Sequence, residues 1–431
     1  MLKKYPVALY LTWIVVILVL PLPLIWLLNS QLIASPSSLF AYDMGIIAYV
    51  WWLIIIFLST RPHWLEHFIG IPSMYFIHGS LGVLALMAAT AHKFLSFSFD
   101  QSVKQTGNTA WYIAIAGIIY AILFMSGWLV DRYLLFRKAK IALSKIFNHQ
   151  VSVWLHRTNL LLIVLIWLHV HLIVRFSSMN TFMVTFDVYT YIVVGYYLLS
   201  KFLGMFKSNG TVIQNQELGP HTQQLIIKLD KNSPSYHAGD FYFLSFRGSK
   251  NISREKHPFS VTSAPKDNPY EVMFTIQKLG DFTRKISQVT KGTRCYLEGP
   301  YGRFNRIIEK LQENQPIILY GLGSGLAPLL SIAEQYGGIR PIMILWSTSK
   351  KNGLYFEKTL NRIKEQSPNI SVLVKERRFT LEDLQRRLTS EEIKEAVYFV
   401  VGPSHVVIKV EKLLKDVGIA SSQIIDERLT M

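Results

Sequence analysis

Four histidines stand where an apolar helix ordinarily has none. His78 and His92 lie fourteen residues apart in the run 72–92, and His156 and His169 lie thirteen apart in the run 153–174. An ionisable ring within hydrocarbon carries a free-energy cost unless it is paired or coordinates something. Fourteen residues at about 100° each return to within roughly 40° of the starting face and climb about 21 Å. One helix therefore presents two sites at two depths. Two such helices facing each other would place an imidazole above and below each of two metals, the arrangement of bis-histidine haem in a helical bundle. On the second run, thirteen residues turn an ideal helix by about 140°, whereas the fifteen from His156 to His171 turn it by only about 60°. Regular geometry favours His171, and a bulge or bend restores His169. The plainer alternative, in which each ring bonds a backbone carbonyl, needs four separate partners inside lipid.

The elements that must position these rings follow from hydropathy. Half of the 431 residues are hydrophobic, and they are unevenly spread. Runs of membrane length occur near 7–28, 44–60, 70–92, 110–130, 153–174 and 182–200, which predicts six spanning helices, the last containing Asp187. The first lacks a small-residue cleavage site and reads as a helix rather than a signal peptide. Lys3, Lys4, Arg61, Arg132, Arg137, Lys138, Lys140, Lys145, Lys201 and Lys207 fall on one side of these helices, and Lys93, Lys104 and Arg175 on the other. The bias places the amino terminus and the carboxy-terminal half in the cytoplasm, with His78 and His156 inner and His92 and His169 outer. The net charge of +17 comes partly from this loop bias and partly from a soluble half suited to attract phosphates. No basic run interleaved with aromatics supports nucleic-acid binding. The single cysteine, Cys295, excludes an internal disulfide, a cysteine-held zinc site and an iron–sulfur cluster.

Past residue 205 the pattern becomes short alternating runs. The chain reads as a membrane domain over 1–204, a small antiparallel β-barrel over 205–308 and a doubly wound α/β domain over 309–431. In the barrel, His257, Pro258, Phe259, Ser260, Val261 and Thr262 put an aromatic and hydroxyls beside a proline-fixed turn. Gly280 to Thr283 form a second turn, whose amides and hydroxyl suit a phosphate. In the last domain a short apolar run leads into Gly321, Gly323 and Gly325 and then a helical stretch, the strand, turn and helix that hold a pyrophosphate. At the end of the next strand Ser347, Lys350 and Lys351 replace the acidic residue that would select NAD. A 2′-phosphate fits there, so NADPH is expected to be preferred, with NADH tolerated.

The histidine order, HPFSVTS at 257–263, GDFT at 280–283, GPYGRF at 299–304, GLGSGLAP at 321–328 and VGP at 401–403 together resemble the NADPH oxidase and ferric reductase superfamily, over nearly the whole chain. The compact length is similar to that of bacterial NADPH oxidase homologues. The resemblance implies an α-helical six-helix membrane bundle followed by a ferredoxin-reductase-like module, an antiparallel Greek-key β-barrel plus an α/β nucleotide-binding domain. It implies two b-type haems between helices three and five, with the thirteen-residue spacing that selects His78, His92, His156 and His169 as ligands. FAD is implied at His257, Pro258, Phe259 and Thr262, with Ser260 at its reactive edge as the catalytic residue and Gly280 and Thr283 near its phosphates. Gly321, Gly323, Gly325, Pro328, Gly402 and Pro403 are implied at the nicotinamide nucleotide. Two departures stand out: Val401 where a cysteine is usual, and no terminal aromatic in Arg428-Leu429-Thr430-Met431. The implied activity is a superoxide-forming NAD(P)H oxidase or a ferric-chelate reductase in the cell membrane, passing electrons to a small acceptor with no obligatory protein activator. The runner-up is a membrane cytochrome subunit that works with a partner.

Overall fold

The computed structural model describes residues 7–125, 133, 135, 136, 138, 149–206, 208–219, 221–248, 252–349 and 353–429. The chain divides into two compact units, one over Tyr5–Phe206 and one from Lys207 onward. In the first, α1 (Val7–Gln31) is interrupted by a π-helical stretch at Val15–Val19. It is followed by α2 (Pro36–Ser59), the short α3 (His63–Ile69), α4 (Ile71–Leu95) and α5 (Gln101–Tyr120). Then come α6 (His149–Arg157), α7 (Asn159–His171), α8 (Val174–Ser177) and α9 (Asn180–Phe206). Among the described residues five helices are long and apolar enough to cross a membrane: Val7–Gln31, Pro36–Ser59, Ile71–Leu95, Gln101–Phe124 and Asn180–Gly204. The expected fifth span is two shorter helices, α6 and α7, broken at Thr158.

Two spans begin earlier than hydropathy predicts, and each does so because of a cap or a polar partner. At α2, Ser35 Oγ accepts a hydrogen bond from Ser38 N and Pro36 occupies the first turn, both favoured at a helix start. Asp43, which falls inside this helix, accepts from Asn29 Nδ2 on both carboxylate oxygens at 3.1 and 3.2 Å, so it needs no water. At α5, the Asp100 carboxylate accepts from Ser102 N and Val103 N at 2.7 and 3.1 Å. Helix α9 is pinned to α2 by Tyr49, whose ring stacks on Phe186 at 4.6 Å and whose hydroxyl meets Thr190 Oγ1 at 2.8 Å.

The second unit holds two sheets. The first contains β1 (Gly210–Gly219), β2 (Thr222–Leu229), β3 (Phe241–Phe246), β4 (His257–Ser260), β5 (Glu271–Gln277) and β6 (Arg294–Tyr301) in the order β4-β3-β6-β1-β2-β5. An antiparallel bridge from Val261 to Phe274 joins the two edges, and Thr262 N donates to Met273 O across the same seam. The sheet thus closes on itself around Leu225, Ile227, Tyr242, Leu244, Phe246 and Phe274, all buried, and loses its exposed edges. The second sheet is parallel throughout, in the order β11 (Ile424–Leu429), β10 (Val397–Pro403), β7 (Ile317–Leu322), β8 (Ile342–Ser347), β9 (Ile370–Lys375). Its central strand β7 is buried at every residue, as helices on both faces require. Gly239 N donates to Ser331 Oγ at 2.7 Å and ties the barrel to the helix after β7.

Because Phe274 sits fully buried at the seam that closes the barrel, Phe274→Ala is expected to destabilise this unit by about 3–5 kcal/mol. Thermal melting of the purified full chain, followed by fluorescence, measures it; an unchanged melting profile would show that the seam is not a core position.

Candidate functional site

The structure brings the four apolar histidines together as two opposed pairs. The rings of His78 and His156 lie 5.9 Å apart between centroids, and those of His92 and His169 6.3 Å apart. A metal bound at Nε2 of two facing imidazoles, at about 2 Å from each nitrogen, sets their ring centres roughly 6.3 Å apart. Both spacings fit. Three of the rings are held through Nδ1 by a backbone carbonyl of a neighbouring helix: Ile55 O at 3.1 Å from His78, Ala41 O at 2.8 Å from His92 and Val103 O at 3.0 Å from His169. A carbonyl only accepts, so Nδ1 carries the proton and Nε2 keeps the lone pair that a metal needs. Glycine makes the approach possible. A Cβ on Gly45 would lie 2.9 Å from His92 Nδ1, and one on Gly107 would lie 3.0 Å from His169 Cε1.

The register of His169 follows from the break at Thr158. Thirteen residues fall about 140° short of four full turns in a regular helix. Around the break, Thr158 N bonds Leu155 O and Leu161 N bonds Thr158 O, both spanning three residues rather than four. Such tightening adds rotation in the missing direction. His171 is engaged elsewhere: its Nδ1 lies 2.9 Å from Trp167 O, its Nε2 lies 3.3 Å from Asp187 Oδ1, and its ring packs on Trp167 at 4.1 Å. Trp167 Nε1 also donates to Asp187 Oδ1, at 2.7 Å. The basic residues near the ligands have protein partners too. Lys93 donates to Asn108 and lies over the Trp111 ring, Arg157 lies over Trp154, and Arg175 donates to Ile33 O.

In the barrel, His257, Pro258, Phe259 and Ser260 form β4 and pair with Leu244, Phe243, Tyr242 and Phe241. The ring of His257 lies 3.9 Å from that of Phe282, and Phe246 and Phe259 each stack on Phe282 at 6.1 Å. Phe282 is thus the hub that brings the two barrel motifs together, a role that its place between Gly280 and Thr283 does not signal by spacing. Thr283 Oγ1 accepts from Leu279 N and Gly280 N, both at 2.9 Å, so these amides organise the turn itself. Thr262 is buried and donates to Thr275 within the barrel.

In the α/β domain the glycine turn and the Gly402-Pro403 turn meet. Gly321 pairs with Val401 across neighbouring strands, and a Cβ on Gly325 would lie 2.2 Å from Val401 O. Only glycine admits that contact. Pro328 lies in the first turn of the helix that follows. Val401 is buried in the core with Leu319 and Phe399, and Leu429 packs partly buried against the same core. Ser347 is buried at the end of β8, its hydroxyl 3.4 Å from Tyr320 OH, and Trp346 Nε1 donates to Gly323 O at 3.0 Å. Lys350 and Lys351 lie outside the described residues.

A family model described as an FAD-binding domain matches residues 214–305. Mouse NADPH oxidase 1 is 25% identical over 146 residues, 33% of this chain and 24% of that protein. The putative respiratory burst oxidase homolog protein G of Arabidopsis thaliana is 23% identical over 254 residues, 54% of this chain and 29% of that protein. The chain is thus similar to NADPH oxidases and respiratory burst oxidase homologues, and its residues 214–305 match an FAD-binding domain. It spans under a third of the length of those two relatives. A ferredoxin NADP+ reductase from Neisseria gonorrhoeae with bound FAD and NADP is similar over 51% of this chain and 98% of its own, at 20% identity and a TM-score of 0.43.

One acidic residue near this junction was not legible from motif spacing. Glu427 lies on β11 opposite Val401. Burial, and then the neighbouring carboxylates Asp240 and Asp426, push its carboxyl up to about 7. Folding raises this pKa, so the unfolded chain releases the proton first and stability falls as pH rises from about 4.5 to about 7. Glu427→Gln is therefore expected to raise the melting temperature at pH 8 and to leave it nearly unchanged below pH 5. A gain of equal size at both pH values would contradict the titration.

Proposed function

We propose that the chain is a transmembrane oxidoreductase that carries electrons from cytoplasmic NAD(P)H through FAD and two b-type haems to an acceptor on the far side, dioxygen giving superoxide. The observation that carries this reading is the pair of opposed imidazole couples on α4 and on α6 and α7, spaced for one metal each. His78 and His156 would hold the inner haem and His92 and His169 the outer one. FAD, when bound, would supply the conversion of a hydride's electron pair into single electrons that one-electron haem carriers require. One NADPH then supplies two electrons, reducing two dioxygen molecules to two superoxide ions and releasing one proton.

The protein's part is to hold and orient. The segment of His257, Phe259 and Ser260, held by ring packing on Phe282, would hold the flavin, and the Gly280 to Thr283 turn would serve its phosphates. The Gly321, Gly323 and Gly325 turn and the Gly402-Pro403 turn form one glycine-lined junction at the carboxyl ends of β7 and β10, where nucleotides bind in open α/β sheets. Ser347, with Lys350 and Lys351 beyond it in sequence, would take the 2′-phosphate. The basic-loop bias supports a cell-membrane location with both termini cytoplasmic.

Adding NADPH to the purified chain under nitrogen should give a reduced-minus-oxidised b-type haem spectrum. In air, cytochrome c reduction should be largely abolished by superoxide dismutase. Absence of haem reduction would overturn the proposal, and dismutase-insensitive reduction with fast ferric-chelate turnover would move the acceptor to iron. Nucleotide choice gives a separate check. Lys350→Ala is expected to weaken NADPH binding by about 1–3 kcal/mol, the range for charge-assisted hydrogen bonds, and to leave NADH almost untouched. A higher kcat/KM for NADH than for NADPH in the unmodified chain would contradict the phosphate assignment.

A further inference from the structure

The four imidazoles are not held alike. His78, His92 and His169 each meet a backbone carbonyl through Nδ1, whereas among the described residues His156 Nδ1 meets a side chain, the amide of Asn159 at 3.5 Å. We propose that Asn159 is the positioning residue of His156 and sets the redox balance between the two metal layers. The inference rests on reading His78 and His156 as haem ligands.

Three features build this contact. Asn159 is the first residue after the break at Thr158, three positions beyond His156, where a turn of helix brings the two side chains together. The neighbouring helix α5 leaves room for the amide only because residue 117 is glycine; a Cβ there would lie 2.4 Å from Asn159 Oδ1. The chemistry of ligation then selects the orientation. An imidazole bound to metal through Nε2 carries its proton on Nδ1 and needs an acceptor there, which of the two amide ends only the oxygen supplies. The nearer end in the structure is Nδ2, and a half-turn of the amide exchanges the two at nearly the same place.

The consequence is electronic as well as geometric. An acceptor on Nδ1–H raises the basicity of the ligand and favours the more highly charged, oxidised metal. At 3.5 Å the Asn159 contact is longer than the 2.8 to 3.1 Å carbonyl contacts of the other three rings, so His156 is the least strongly polarised of the four. Among the described residues His169 Nδ1 also meets a side chain, Thr106 Oγ1 at 3.3 Å, but keeps its carbonyl at Val103, whereas the Nδ1 contact of His156 is with a side chain that one substitution can strengthen or delete.

The test is a potentiometric titration of the haem absorbance in the detergent-purified full chain carrying Asn159→Asp, Asn159→Leu or Asn159→Gln. Asn159→Asp should lower, and Asn159→Leu raise, the potential of one haem by about tenfold in its reduction equilibrium, about 59 mV for a one-electron couple. Asn159→Gln should return it toward the parent value. The responding haem should be the one that His78→Ala removes, and the other should not move. With both haems bound, unchanged potentials in the Asp and Leu variants, or shifts of the same sign in both, would overturn the assignment. Two retained haems in His78→Ala, or no haem in the unmodified chain, would instead overturn the ligand reading on which it rests.

Discussion

Everything in the membrane unit depends on keeping four imidazoles uncharged, oriented and in facing pairs inside an apolar bundle. A buried ring nitrogen without a partner is costly, and each ring has two. The solution is to commit Nδ1 to the protein, which leaves Nε2 as the nitrogen free to bind a metal. Each partner for Nδ1 lies one helix away or one turn along. The carbonyls of Ile55 and Ala41 on α2 serve the two rings of α4, the Val103 carbonyl on α5 serves the ring of α7, and Asn159 serves the ring of α6. Such contacts require close helix approach, and glycines at 45, 107 and 117 supply it. The same demand explains why α6 and α7 are not one regular helix: a thirteen-residue spacing meets a fourteen-residue one only if the second helix winds tighter somewhere.

In the soluble unit the corresponding constraint is strand closure. Val261 bridging to Phe274 makes the barrel a cylinder, and the four residues just before that bridge are the candidate flavin segment His257 to Ser260. The segment is thereby fixed in strand geometry on one side and packed on Phe282 on the other. Near the start of β3, burial first and the neighbouring carboxylates Asp240 and Asp426 second push the Glu427 carboxyl up to about 7. Val401, which stands where the pattern this sequence resembles has a cysteine, and Leu429, within the terminal segment that lacks an aromatic, both contribute to the core.

Much of this was legible in the residues alone. The stacking of His78 over His92 followed from helical rotation, the strand runs from alternation, and the glycine turn from its place between a buried strand and a helix. Three things were not. The second span, expected over 44–60, starts at Pro36 because Asp43 is satisfied inside the helix by Asn29, a partner that hydropathy does not reveal. The break at Thr158 leaves no mark in composition, since threonine is unremarkable in such helices, and spacing alone left His169 and His171 open. Phe282 and Glu427 take their roles from tertiary neighbours, which no local pattern encodes.

The central claim is that each opposed histidine pair holds one haem, and the most direct measurement is haem per polypeptide by the pyridine haemochromogen assay. The account predicts two b-type haems in the unmodified chain and one in the His92→Ala, His169→Ala double variant, with the remaining haem still reducible by dithionite. Two haems retained in that double variant, or fewer than two in the unmodified chain, would contradict it.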